Sequence, residues 1–229
     1  MLVKICGITR VEDAEAAIAC GAAALGFVFW PKSPRFVDPY RARAIVASLP
    51  PFVTTVGVFV NQPALYVNGV ASLVGLSAVQ LHGDETVEFA RQIRRPVLKV
   101  VALGDAAGDS DGDLASAFQT WPSRFTPLLD VRDLDRRGGT GRTIDWTRAA
   151  RLAAMRPVVL AGGLTPDNVG TAIATVRPFC IDVSSGVEMR PGVKDHRRLK
   201  ALFDVVTART TDGDARGAVR SANALPPAR

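Results

Sequence analysis

Arg156-Pro157-Val158-Val159-Leu160-Ala161-Gly162-Gly163-Leu164-Thr165-Pro166-Asp167-Asn168-Val169-Gly170-Thr171-Ala172-Ile173-Ala174-Thr175-Val176 reads as one complete structural unit. Its apolar run, Pro157–Ala161, lacks polar alternation, as a parallel strand buried on both faces does. Gly162-Gly163 ends that run. Thr165-Pro166 then has the form of a helix start, a capping hydroxyl followed by proline at the first helical position. An alanine-rich amphipathic stretch predicts a helix over Pro166–Val176.

The unit recurs along the chain. Strands are predicted at Leu2–Cys6, Ala24–Phe29, Thr54–Val60, Ala78–His82, Val97–Ala102, Thr126–Val131, Pro157–Ala161 and Cys180–Ser184. The first helices are predicted at Val11–Cys20, Pro39–Leu49, Ala64–Leu73 and Glu85–Arg94. Asp113–Thr120, Asp145–Met155, Pro166–Val176 and Lys194–Ala208 complete the set. Strand alternating with helix implies right-handed crossovers and a parallel sheet. Eight such units in 229 residues match a single α/β domain, a (β/α)8 TIM barrel. An open doubly wound sheet is the rival, but the first turn has no G-x-G-x-x-G. Thr9 and Glu12 have the spacing of a capping box, and Asp145 is placed to cap the helix after Ile144. From Thr210 the apolar periodicity gives way to glycine, proline, alanine and arginine. Residues 1–209 are therefore predicted to form the catalytic barrel and 210–229 a flexible C-terminal tail.

Hydrophobic residues make up 48% and charged residues 22%, a globular balance that excludes disordered and fibrous classes. No apolar run reaches about 18 residues, and Met1–Cys6 is no leader peptide, so neither membrane insertion nor secretion is predicted. Three scattered cysteines suggest no disulfide framework and a reducing, cytoplasmic setting. Two histidines and no close Cys/His cluster leave little material for a metal site. The net charge of +6 fits a solvated basic surface whose field attracts small anions. Without a compact basic run interleaved with aromatics, no nucleic-acid partner is expected. One barrel buries its own core, so a monomer is expected.

In such a barrel, function belongs at the C-terminal ends of the strands. The loops after strands seven and eight are the usual phosphate site. Gly162-Gly163 lets the backbone approach a ligand, and Ser184-Ser185-Gly186 offers hydroxyls and amides. Gly138-Gly139-Thr140-Gly141 could add donors. Cys6 and Asp130 end strands one and six. A thiol serves as a base if its pKa falls, and a carboxyl as an acid if its pKa rises. Cys6 reads equally as a buried small apolar residue, or as a nucleophile with His82 as partner; Asp130 also reads as a turn aspartate. Arg35, in a proline-flanked loop, is suited to clamp a carboxylate through two parallel hydrogen bonds, or is a surface arginine. Asp182, in an apolar strand, would organise loop amides or hold another polar group. Trp30 would wall the pocket. Trp121, Trp146, Cys20 and Cys180 read as packing residues, and His196 as surface.

These motifs resemble the phosphoribosylanthranilate isomerase family over about Val3–Val206. The resemblance is carried by Lys4–Thr9 (KICGIT), Gly26–Arg35 (GFVFWPKSPR), Val56–Asn61 (VGVFVN) and Val79–Glu85 (VQLHGDE). It continues through Leu128–Asp130, Gly138–Trp146, Leu160–Val169 (LAGGLTPDNV), Asp182–Glu188 (DVSSGVE) and Pro191–Asp195. Trp30 stands where tyrosine is frequent in the family, and Arg142 where lysine is. The resemblance implies an Amadori rearrangement in tryptophan biosynthesis, with Asp130 as general acid and Cys6 as general base. It implies Arg35 on the anthranilate carboxylate, His82 and Asp182 at the substrate, and the loops at Gly162, Gly163, Ser184, Ser185 and Gly186 on the phosphate. The substrate is then a small phosphorylated anion. An iminium acidifies its neighbouring C–H unaided, so neither metal nor cofactor is implied. The competing expectations are the ribonucleotide isomerase of histidine biosynthesis, indole-glycerol phosphate synthase, and a non-catalytic metabolite-binding barrel.

Overall fold

A computed structural model describes residues 1–103, 116, 121–122, 124–131 and 144–222, with side chains through Arg209. The first half runs β1 (Leu2–Cys6), α1 (Val11–Ala19), β2 (Ala24–Val28), α2 (Pro39–Ala47), β3 (Thr54–Phe59), α3 (Ala64–Val74), β4 (Ala78–Leu81), α4 (Val87–Arg91) and β5 (Val97–Leu103). The second half runs β6 (Phe125–Val131), α5 (Trp146–Ala153), β7 (Val159–Leu160), α6 (Val169–Val176), β8 (Cys180–Val183), β9 (Glu188–Arg190), β10 (Val193–Lys194) and α7 (His196–Ala222). Strands β1 to β8 pair in sequence order and close into a barrel. All eight ladders, β8 to β1 included, are parallel. The predicted helix at Asp113–Thr120, apart from Ser116, and the glycine-rich Gly138–Gly141 with Arg142 lie outside the described residues.

The principal core lies between the strands and the helices. There Ile5, Leu25, Phe27, Phe29, Phe59 and Leu81 point outward into a continuous apolar layer. Period two then sends the alternate residues into the barrel. A small lower cluster there contains Leu128, Val159, Ala161 and Cys180. Above it Cys6, Val28 and Val58 pack with Trp30. Four inward positions are polar, and Lys4, Gln80, Asp130 and Asp182 are all buried. Polar side chains in the closed interior of a barrel must pair with each other or with a ligand. Trp121 and Trp146 pack against the principal core, partly buried, as does Cys20.

Several local expectations change. Thr9 does not cap α1: Arg10 occupies the cap position without a side-chain bond, and Thr9 Oγ1 donates instead to the Gly192 carbonyl at 2.5 Å. Tertiary contact with a distant loop outcompetes the local box. Thr165 does not start α6. Pro166–Asn168 forms a turn closed by Asn168, whose Oδ1 accepts from Thr165 N at 2.8 Å and whose Nδ2 donates to Gly163 O at 2.9 Å. The helix follows from Val169. Asp145 does cap α5, accepting from Thr147 N and Arg148 N. The last helix starts later and runs further than predicted. Asp195 caps it through Arg197 N and Arg198 N, and its backbone runs to Ala222. Alanine and arginine favour helix without an apolar stripe, and the first proline comes only at Pro226.

The hairpin β9–β10 was not foreseen. Strands of three and two residues carry no readable period, although Pro191-Gly192 is a turn signal. Gly192 takes a φ of +78°, a conformation natural only to glycine. This hairpin supplies two side chains of the site.

Candidate active site

A cavity of about 400 Å³ opens at the C-terminal ends of the strands. Cys6, Trp30, Arg35, His82, Asp130, Gly162, Gly163, Asp182, Ser184 and Ser185 all line it, so residues from six separate strand ends converge as expected. Gln80 and Lys32 line it too; both stand in the motifs read from the sequence, where neither was given a role. Gln80 was legible as an amide at an inward position of β4.

Asp130 ends β6 and is buried. Its Oδ1 accepts from the Val131 amide at 2.7 Å. Burial, against the pull of that bond, pushes its pKa up to about 7. His82 Nε2 lies 3.5 Å from Asp130 Oδ2. The Gln80 side-chain amide pairs with His82 Nδ1 at 3.0 Å, which turns the Nε2 edge of the ring toward Asp130. Gly162 is required beside this group. Its φ is +85°, and a Cβ there would stand 3.0 Å from Val131 Cγ2 and 3.3 Å from Asp130 Oδ1.

Cys6 ends β1 and is buried. Burial pushes its thiol pKa up; Lys4 and Lys194 pull it down, while Asp182 opposes them. Lys4 sits two residues back on the same face of β1 and pairs in register with Asp182 on β8. Its Nζ donates to Asp182 Oδ2 at 2.7 Å. Asp182 thus holds another polar group, and that group is a buried ammonium. Its Oδ1 is buried with no hydrogen-bond partner among the described residues.

Arg35 faces a carboxylate from the protein itself. Its Nε and Nη2 meet Glu188 at 2.9 Å and 2.7 Å. The expected clamp is therefore filled on one edge by a residue of the unforeseen hairpin. Burial raises the Glu188 pKa, but Arg35 and Lys194 outweigh it and hold the carboxyl below its usual range. Lys194 was predicted as the first residue of a helix. It lies instead in β10 with its ammonium fully enclosed. Its Nζ donates to Cys6 O at 2.6 Å, Glu188 Oε1 at 2.9 Å and Ser184 O at 3.2 Å. Ser184 Oγ donates to the same Cys6 carbonyl at 3.2 Å. The ends of β1 and β8 and the Arg35 loop are thereby tied to one cation.

Gly186 does not line the cavity. It is a packing point: a Cβ there would overlap the Leu164 carbonyl oxygen. Gly186→Ala is expected to wedge the loop after β8 away from the loop after β7, at an overpacking cost of about 1–3 kcal/mol. A thermal melt and the KM for a phosphorylated substrate check this; both unchanged would show that the contact is slack. His196, expected at the surface, is half exposed but lies 2.9 Å from the buried Asp13 carboxylate. Cys180 is buried, as packing residues are.

A family model described as N-(5'-phosphoribosyl)anthranilate isomerase matches residues 3–205. The chain belongs to this family. It is an isomerase of tryptophan biosynthesis. N-(5'-phosphoribosyl)anthranilate isomerase of Pseudomonas fluorescens (strain Pf0-1) is 48% identical over 203 residues, 89% of this chain and 97% of that protein. A family structure in complex with reduced 1-(o-carboxyphenylamino)-1-deoxyribulose 5-phosphate superposes with a TM-score of 0.77 at 43% identity, covering 91% of this chain and 99% of that one. Monomers generated from the dimeric family enzyme of Thermotoga maritima also superpose with a TM-score of 0.77, at 42% identity and the same coverage. Among the described residues, no helix is long and apolar enough to cross a membrane.

Proposed function

We propose that the chain converts N-(5-phosphoribosyl)anthranilate to 1-(2-carboxyphenylamino)-1-deoxyribulose 5-phosphate, with Asp130 as acid and Cys6 as base. The observation that carries this reading is a buried carboxyl raised to about 7 in the same cavity as a buried thiol. Asp130 gives its proton to the furanose ring oxygen, and the ring opens to an iminium. The resulting carboxylate is received by the Val131 N–H and faces His82 Nε2. Cys6 then takes the C2 proton, and the enolamine formed tautomerises to the ketone. Proton delivery and removal at fixed positions contribute about 10²–10⁴-fold each.

Arg35 receives the anthranilate carboxylate on its end-on edge, because Glu188 occupies the Nε side. The amides and hydroxyls at Gly162, Gly163, Ser184 and Ser185 hold the phosphate, with Gly186 setting the loop. Asp182 Oδ1 accepts a substrate hydroxyl. One barrel buries its own core, so a monomer is proposed as the working unit; sedimentation equilibrium of the purified protein decides between this and a dimer. Three free thiols support a cytoplasmic setting.

The test is conversion of freshly made phosphoribosylanthranilate to the ribulose product, corrected for the substrate's spontaneous breakdown. No turnover by the folded protein would overturn the reading. The pH profile is a finer check. The active form needs Asp130 protonated and Cys6 ionised, and the thiol is the weaker acid. kcat/KM should then rise about tenfold per pH unit up to about 7, stay level until the thiol's own higher value, and fall beyond it. In Asp130→Asn the residual rate should keep rising past neutrality; a break at the same pH in that variant would assign the lower limb elsewhere.

A further inference from the structure

Lys4 is fully enclosed inside the barrel, one of the largest side chains buried to that degree. A lysine ammonium is retained in such a place only where anions compensate its lost hydration. One anion is Asp182, at 2.7 Å. The second group against it is Cys6. A Cβ built on Gly26 of the neighbouring strand would stand 2.7 Å from Cys6 Sγ and 3.1 Å from Lys4 Nζ. The sulfur and the ammonium thus share the space that this glycine leaves open. Lys4 and Cys6 are two residues apart on one face of β1, with Ala24 and Gly26 as their register partners, so no bulky side chain of β2 separates them.

We propose that Lys4 is a positioning residue that makes Cys6 ionisable: its ammonium, anchored on Asp182, stabilises the thiolate that accepts the C2 proton. The inference rests on the reading of Cys6 as base. Lys4 transfers no proton. The proton leaves C2 for Sγ, and Lys4 keeps its charge throughout. Burial lowers the Lys4 pKa, but Asp182 and Cys6 more than reverse this and hold it above its usual value. The other charged groups facing Cys6 are Asp182 from β8 and Lys194 from β10, with Asp130 across the mouth on β6. Lys194 is committed to Glu188 and two carbonyls. Lys4 is the cation whose remaining neighbour is the sulfur.

The experiment follows alkylation of Cys6 against pH in the substrate-free protein, mapped by peptide mass. Lys4→Met is expected to move the midpoint up by about 1–3 pH units, the usual effect of one opposite charge at close range. The upper limb of kcat/KM should move with it. Lys4→Met/Asp182→Asn, which removes the buried pair together, is expected to show a smaller upward shift. An unmoved or lowered midpoint in either folded variant overturns the inference. Should neither fold, titration of the native protein decides. The Lys4 side-chain NMR signals must respond at the pH where the Cys6 Cβ signal does, and silence there overturns it as well. A purely structural Lys4 would lower activity without moving these midpoints. Failure of the base assignment is distinguishable, because it appears as turnover retained by Cys6→Ala.

Discussion

Asp130→Asn and Cys6→Ala are each expected to lower turnover of phosphoribosylanthranilate by about 10²–10⁴-fold while leaving the barrel folded. Asparagine preserves the shape of the aspartate and can still accept from the Val131 amide, the bond seen at 2.7 Å. What it loses is the transferable proton. That proton is abundant at neutral pH because burial has raised the carboxyl to about 7. Alanine at position 6 keeps the backbone carbonyl that Lys194 and Ser184 grip. It removes only the sulfur, from a small cluster with Val28 and Val58. Both variants should therefore retain the parent's circular dichroism and cooperative melting, and product binding should weaken much less than turnover. Near-parental turnover in either folded variant would remove that residue from the mechanism.

The second large effect concerns stability. Lys194→Met is expected to cost about 3–5 kcal/mol, the usual price of leaving one partner of a buried ion pair uncompensated. The Lys194 ammonium is 0% exposed and lies 2.9 Å from Glu188 Oε1. Its removal also takes one donor each from the Cys6 and Ser184 carbonyls, leaving Ser184 Oγ on the first and Val187 N on the second. For a chain of this size that corresponds to a fall in melting temperature of about 6–20 °C. Glu188→Gln should destabilise less, since Gln still bonds Arg35, and the double variant should cost less than the sum because the two residues act together. Calorimetry of the four proteins closes the cycle. A change below about 1 kcal/mol for Lys194→Met would show that water reaches the site and that the cation is no keystone. Because Lys194 grips the ends of β1 and β8 and, through Glu188, the Arg35 loop, the same variant should bind substrate more weakly even where it stays folded.

Eight strands were legible because burial on both faces leaves a strong apolar signature, and their predicted positions differ from the observed ones by only a residue or two. The proposed acid and base were legible as candidates for a related reason. Each ends a strand on the parity that points into the barrel, at the end where function gathers. The misreadings have a common cause. Thr9, Thr165 and Lys194 were read by their neighbours in sequence, whereas Thr9 bonds Gly192, Asn168 closes the turn before α6, and Lys194 turns to Cys6. Arg35, read as a clamp for a substrate carboxylate, also bonds a carboxylate of the protein, Glu188, 153 residues away.

Period, punctuation and motif order are local properties of the chain, so the sequence by itself determined the barrel, the face that bears the site, and the family. Charge compensation in the interior is not local. Lys4 meets Asp182 across 178 residues and Lys194 meets Cys6 across 188, contacts that exist only once the barrel has closed and β8 lies beside β1. Burial then sets the energies. A lysine and an aspartate that would be ordinary surface charges in an open chain become, in a closed interior, an ion pair of 2.7 Å beside Cys6.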